Sequence, residues 1–333
     1  MPDLPFSPHL PALVAKVRLI DVPEERSGQR LDNFLLGQFK GIPRSLIYKL
    51  VRSGQVRVNG GRVRAGYKVS AGEHVRVPPL VLAADKEPNK AEPASGLLRR
   101  MEQAIVFEDT HLLVINKPCG VASHGGSGIH FGAIETVRAL RPQQNLELVH
   151  RLDRDTSGLL VIAKKRSALR QLQALLRNDQ PSNTGQNKGI CKRYLALLSG
   201  HLPKGGMSVD APLHVGLRQG GERHVQVSAN GKAALSTFKL LERRGGHSYC
   251  EVRIETGRTH QIRVHAQHIG HPLAGDDKYG NRLINQRLRQ QTGLKRLFLH
   301  AAKLEFSLEH SPQAYQLNAP LPPELERVLE RLG

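Results

Sequence analysis

One carboxylate, Asp153, stands between two guanidinium groups, Arg151 and Arg154, in the run HRLDRDTSGLL from His150 to Leu160. Asp155, Thr156, Ser157 and Gly158 form a tight polar turn behind it, and the apolar run Leu159 to Ala163 follows at once. An ionised group set against a buried strand has to be paired or hydrogen-bonded, because an uncompensated buried charge is costly. Taken as a turn alone, the segment has a structural explanation: Asp155, Thr156 or Ser157 satisfies backbone donors while the arginines stay in water. Taken as a site, it offers Asp153 as the reacting group. Tyr194 in KRYLAL and Arg263 in TGRTHQIRVH are the other candidates. Each has its ordinary reading too, a core tyrosine and a phosphate contact.

Two further groupings invite chemistry and do not sustain it. His260, His265, His268 and His271 lie close together, but no Cys or acidic residue falls among them and the spacing fits no zinc signature. No metal is expected. The run His124-Gly125-Gly126-Ser127-Gly128 lacks the lysine and the Ser/Thr of a phosphate-binding P-loop, so a flexible loop lining a cleft is expected.

The elements that must position these residues divide near residue 80. In the first part Leu31, Phe34, Leu35 and Phe39 are spaced for a helix. A second helix is predicted from Arg44 to Ser53, stopped by Gly54. Asn59-Gly60 predicts a tight hairpin turn, and a strand follows over His74 to Val77. Arg44, Lys49, Arg52, Arg57, Arg62 and Arg64 would give this part a positive face. Residues 80 to 100, rich in Ala, Glu, Lys and Pro, are expected to be a linker. Beyond it a hairpin is predicted from Ala104–Phe107 and Leu112–Ile115, with helices over Ile134–Leu140 and Leu169–Leu176. Strands are predicted at Leu159–Ala163, Tyr194–Leu198, Ser236–Glu242, Ser248–Glu255 and Lys303–Ser307. Strands and helices do not alternate strictly, which argues against a doubly wound parallel sheet. The stretch from Asn178 to Cys191 is polar and turn-rich, and is expected to be a mobile surface loop.

The 333 residues carry 49 Lys and Arg against 29 Asp and Glu, a formal charge of +20. Residues 1 to 78 hold 13 of those basic residues against 6 acidic ones. Such an excess favours a polyanionic partner through phosphate contacts and counterion release. No run approaches the roughly 18 apolar residues of a spanning helix, so a membrane is not expected. The proline-broken N-terminus does not look like a signal peptide, and three scattered cysteines suggest reduced thiols in the cytoplasm.

HRLDRDTSG resembles the signature of the pseudouridine synthase family that modifies ribosomal and transfer RNA. NKPCG (Asn116 to Gly120), KRYLAL, TGRTHQIRVH and LFLHA (Leu297 to Ala301) fall in that family's order. RLDNFL…PRSLIYKLVRSGQVRVNG resembles the alpha-L RNA-binding domain. The resemblance implies an α+β protein. A small N-terminal alpha-L RNA-binding domain (17–79) would precede the linker, and a catalytic domain (101–328) would be built on a mixed, largely antiparallel sheet around an RNA cleft. It implies isomerisation of uridine to pseudouridine on an extruded nucleoside, without cofactor. Asp153 would be the essential carboxylate; whether it attacks sugar or base, or stabilises a dissociated intermediate, stays open. Desolvation drives an enclosed carboxylate towards its inert protonated form, and Arg263, able to clasp it with two parallel hydrogen bonds, would oppose this. Tyr194 would stack on the target base and take the proton from carbon 5, Arg151 would fill the gap left by the base, and Leu299 would wall the pocket. Arg44, Lys49, Arg52 and Arg57 would contact RNA. HGGSG and GRTHQIRVHAQHIGHPLAGDDKYG resemble the ribosomal large-subunit subgroup, which implies 23S ribosomal RNA or its precursor as partner and a monomer. The loop before Cys191 and Asn281, where an acidic residue is commoner, depart from the pattern. A silent RNA-binding or ribosome-assembly factor and a DNA-binding protein are the competing classes.

Overall fold

The structure, a computed structural model, describes residues 13–14, 17–39, 42, 44–81, 93–126, 129–177, 189–217, 223–309, 311 and 314–333. The chain forms two compact units, Met1–Glu92 and Pro93–Gly333.

In the first unit, Leu31–Gln38 and Arg44–Arg52 are helices. They bury Leu31, Phe34, Leu35, Ile47, Leu50 and Val51 in one core with Val56, just before the sheet, and Val58, Val75 and Val77 from it. That sheet is antiparallel, in the order Arg18–Asp21, His74–Val77, Arg57–Val58, Gly61–Arg62. Asn59 (φ 47°) and Gly60 (φ 77°) both adopt the left-handed conformation, as a two-residue hairpin turn of matching twist requires.

The second unit is built on a ten-stranded sheet. Its main path runs Met207–Asp210, Leu235–Arg244, His247–Ile254, Cys191–Ser199, Leu299–Phe306, Ser157–Ala163, Leu112–Lys117, Ile105–Glu108. Among these neighbours only Ser157–Ala163 and Leu299–Phe306 run parallel, so the sheet is mixed and largely antiparallel. Every residue of Ser157–Ala163 is buried, which is why it reads as a continuous apolar run and not as an alternation. Gly158 is required there: at φ 112° an added Cβ would lie 2.3 Å from the Ala301 carbonyl oxygen.

Two expectations change. The segment expected to be a linker from 80 to 100 ends earlier, because Ser95–Gln103 is a helix that buries Met101 completely; residues 82–92 lie outside the described residues. Gln261–His268, for which no helix was predicted, is one. Six of its residues in succession are buried, so no polar face marks it in the sequence. Residues 178–188 of the expected surface loop also lie outside the described residues, as do residues 1–12. Asn281 caps the helix Arg282–Thr292, its Oδ1 accepting from the N–H groups of Leu283 and Ile284. A side-chain acceptor is what that position needs, and Asn supplies it as well as Asp.

Candidate active site

The loop that carries Asp153 is clamped by the segment just after Leu112–Lys117. Lys117, fully buried, donates through Nζ to the carbonyls of Pro118 (3.0 Å), Val121 (2.7 Å) and Arg154 (3.2 Å). Burial pulls its amine down to about 8. Gly120 N–H donates to the Arg154 carbonyl as well, at 2.9 Å, and Cys119 Sγ to that of Asp155. Ser123 Oγ donates to Leu152 O at 2.7 Å and accepts from Leu152 N at 2.8 Å. The backbone on either side of Asp153 is thus fixed by four side chains or amides of the NKPCG region, so the carboxylate is presented from a rigid loop. That is the arrangement a reacting group needs if its geometry is to be set before substrate arrives.

Around the carboxylate stand Arg263, His260 and, behind them, Asp276 and Tyr279. Arg263 Nη1 lies 3.6 Å and His260 Nε2 3.8 Å from Asp153 Oδ2. The two-pronged clasp expected between Arg263 and Asp153 is made instead with Asp276: Nε to Oδ2 at 2.7 Å and Nη2 to Oδ1 at 2.8 Å. The reason is burial. Asp276 is almost wholly enclosed, at 1% exposure, whereas Asp153 reaches the cleft, so the fork goes to the carboxylate that has lost its water. Asp276 Oδ1 also accepts from the N–H groups of Lys278 and Tyr279. Desolvation raises the Asp276 carboxyl, but these bonds, Arg263 first, bring it below its ordinary value. Desolvation likewise lowers Arg263, and the Asp276 contacts outweigh it, so its net direction is up. Its guanidinium further stacks over the Tyr279 ring, 5.1 Å from the centroid.

Asp153, Tyr194, Arg263, Arg151 and Leu299, drawn from four separate stretches of sequence, line one small cleft of about 70 Å³. Tyr194 follows an irregularity in pairing between Arg193 and Tyr194, a device that re-aims a side chain. Burial, then the Asp153 charge, pushes its hydroxyl well above the ordinary tyrosine value. Asp153 also borders a second cleft with His124 and Gly126, so the glycine-rich run does line the site. Glu135 Oε2 ties that loop down by accepting from Gly125 N and Gly132 N. A third cleft joins His260 and Arg263 to Lys278, Lys295 and Arg296. The histidines do not converge: His265 bonds Ser236 Oγ and Ala211 O, His271 bonds Ser199 O, and His260 bonds Tyr279.

In the first unit Lys49, Arg52 and Arg57 are exposed, while the side chain of Arg44 lies outside the described residues. Arg62, Arg57 and Arg76 are successive neighbours across the sheet. Like charges directly opposite one another destabilise a sheet, an arrangement that fits a surface whose partner is an anion.

The residues that sequence reasoning missed are Asp276, His260 and Tyr279. In the sequence His260 stands out only as a metal ligand, and nothing in GDDKYG distinguishes the buried Asp276 from its exposed neighbour Asp277.

Residues 111–268 match the family model described as RNA pseudouridylate synthase, and residues 29–75 match that of the S4 domain. A ribosomal large subunit pseudouridine synthase C from Vibrio cholerae is 48% identical over 320 residues, spanning 95% of this chain and 97% of that protein. Its counterpart from Salmonella typhi is 47% identical over 318 residues, with the same coverage of both chains. Among solved structures, human RNA pseudouridylate synthase domain containing 4 aligns with a TM-score of 0.57 and 26% identity, over 71% of this chain and 95% of that one. Human RNA pseudouridylate synthase domain containing 1 aligns with a TM-score of 0.55 and 25% identity, over 68% and 86%.

Proposed function

This chain belongs to the RNA pseudouridylate synthase family, and from that premise we propose that it converts specific uridines of 23S ribosomal RNA, or of its large-subunit precursor, to pseudouridine. It does so as a cytoplasmic monomer. The relatives that span nearly the whole chain are named for the ribosomal large subunit, and no helix among the described residues is long and apolar enough to cross a membrane.

The observation that carries the reading is the convergence of Asp153, Tyr194, Arg151, Arg263 and Leu299 on one cleft. In the reaction the bond between uracil N1 and ribose C1′ breaks, the ring turns, and C5 bonds to C1′. The proton on C5 departs and N1 ends with one, so the change is an isomerisation. Asp153 is the group that meets the extruded nucleoside. Arg263 keeps positive charge beside it, anchored by Asp276 through Nε and Nη2 so that Nη1 is the nitrogen left facing Asp153. Leu299 walls the pocket, the Tyr194 ring holds the base by its face, and Arg151, exposed at the rim, replaces it in the RNA stack. The upward shift of the Tyr194 hydroxyl favours stacking over general-base work, because a phenolate there is scarce at neutral pH. Lys49, Arg52 and Arg57 of the first unit, with Arg44, grip RNA backbone and raise the local concentration of the catalytic unit on the same molecule.

The test is to incubate the protein and its Asp153→Asn variant with unmodified 23S transcript and to map pseudouridines by carbodiimide labelling and primer extension. Modification by the wild type alone is expected. RNA binding without modification by either protein would leave a silent RNA-binding or assembly factor.

A further inference from the structure

Building on the reading of Asp153 as the reacting carboxylate, we infer that His260 is a positioning residue that steers it. Held by Tyr279 with its proton on Nε2, His260 offers Asp153 an N–H donor beside that of Arg263.

The hydrogen bonds of Tyr279 favour one tautomer. Tyr279 Oη accepts from the Val225 N–H at 3.2 Å, so its own hydrogen is available to His260 Nδ1 at 2.8 Å. With Nδ1 an acceptor, the neutral ring carries its proton on Nε2. Nε2 faces Asp153 Oδ2 at 3.8 Å, and Arg263 Nη1 faces the same oxygen at 3.6 Å. Both donors therefore face Oδ2, and both distances close with a small side-chain adjustment when substrate arrives.

The backbone supports a built arrangement. His260 has φ 54°, and among the described residues it shares positive φ outside glycine only with Asn59 of the hairpin turn. A side chain is kept in that conformation where its surroundings impose it, commonly at functional sites. The groups facing the ring are Asp153 from the loop, Arg263 from its own helix, and Asp276, Lys278 and Tyr279 from the following turn. Burial lowers the imidazole, Asp153 opposes this and Arg263 adds to it, leaving a net downward shift. His260 thus acts on Asp153 as a neutral donor and takes no proton from it.

The test compares His260→Phe, which removes the donor, with His260→Gln, which restores an N–H at similar reach, by steady-state kinetics of 23S transcript modification. His260→Phe is expected to lose turnover on the order of 10²-fold with KM unchanged, and His260→Gln to recover most of it. Nitrogen-15 NMR of histidine-labelled wild-type protein, assigned by the signal missing from the Gln variant, should place the proton on Nε2; this holds even if His260→Phe fails to fold. A proton on Nδ1, full turnover by His260→Phe, equal losses in both variants, or a change confined to KM would each overturn the assignment. Activity retained by Asp153→Asn, or none in the wild type, would instead strike the reading of the site itself.

Discussion

Replacing Asp276 by Asn removes one oxygen and one charge from a group that accepts four N–H donors. Oδ1 takes Arg263 Nη2 at 2.8 Å, Lys278 N at 2.9 Å and Tyr279 N at 3.0 Å, and Oδ2 takes Arg263 Nε at 2.7 Å. The amide oxygen can replace Oδ1, which keeps three of these bonds. The amide nitrogen then meets the Arg263 Nε–H, donor against donor. One charge-assisted bond goes, worth about 1.5–3 kcal/mol, and a guanidinium 7% exposed loses its principal counter-charge. Breaking a buried pair from one side costs about 3–5 kcal/mol, and that is the loss expected from urea unfolding followed by circular dichroism. Turnover is expected to fall further than stability explains, because Arg263, now held by one bond in place of two, shifts against Asp153. A misplacement near 1 Å is worth on the order of 10²-fold. Release of tritium from RNA labelled at uridine C5 reads that rate at a temperature where the variant stays folded. Asp277→Asn, one residue on and exposed, should change stability by no more than about 0.5 kcal/mol. An Asp276→Asn enzyme that loses under about 1 kcal/mol and keeps its rate would refute the argument, since so small a loss is what an ordinary surface substitution produces.

Gly158→Ala should be among the most damaging small changes, at about 3 kcal/mol or more, because its Cβ would meet the Ala301 backbone at 2.3 Å; a thermal midpoint within two degrees of wild type would contradict this. His300 is fully buried, accepts from Ser157 Oγ at 2.9 Å and donates to the Ala319 carbonyl, and desolvation pulls it down to about 4. The folded value lies below that of the unfolded chain, so its contribution is complete above about pH 6.5 and lost as pH falls towards 4, a change of about 3 kcal/mol. His150, also lowered to about 4, adds in the same direction. Urea midpoints from pH 7 to 4.5 should therefore fall less steeply in His300→Asn, and an unchanged slope would remove His300 from the account. For the small unit, Arg57→Gln should weaken RNA binding at all sequences alike and flatten the plot of log K against log salt by about 0.7–0.9 for each phosphate that the side chain had neutralised.

How much could be read in advance differs from residue to residue for physical reasons. The loop that carries Asp153 was legible because it is local: turn, glycine and buried strand are contiguous in sequence. Asp276 was not, since its partner lies 13 residues away and its choice over Asp277 is decided by which of the two the turn encloses. Tyr194 admitted two readings, core or cleft, and the structure makes it both. It packs against two apolar clusters while one side lines the cleft. Ser95–Gln103 was hidden by its company, because Leu97 and Met101 have helical spacing but follow a stretch of Pro, Glu, Lys and Ala. The helix bearing Arg263 was hidden by its burial.

The rank of Arg62, Arg57 and Arg76 across the small sheet has a consequence for the protein when no RNA is present. Arg57 donates to the carbonyls of Gly54 and Gly60 and Arg76 to that of Gln55, bonds that neutralise no charge. Among the described residues this rank of charge is therefore unrelieved, and added salt is expected to relax it while weakening any hold on RNA. Ligand-free melting should rise with ionic strength over the range in which affinity falls. On the function proposed above, RNA docked on this face would supply counter-charge to these arginines and stabilise the unit that binds it.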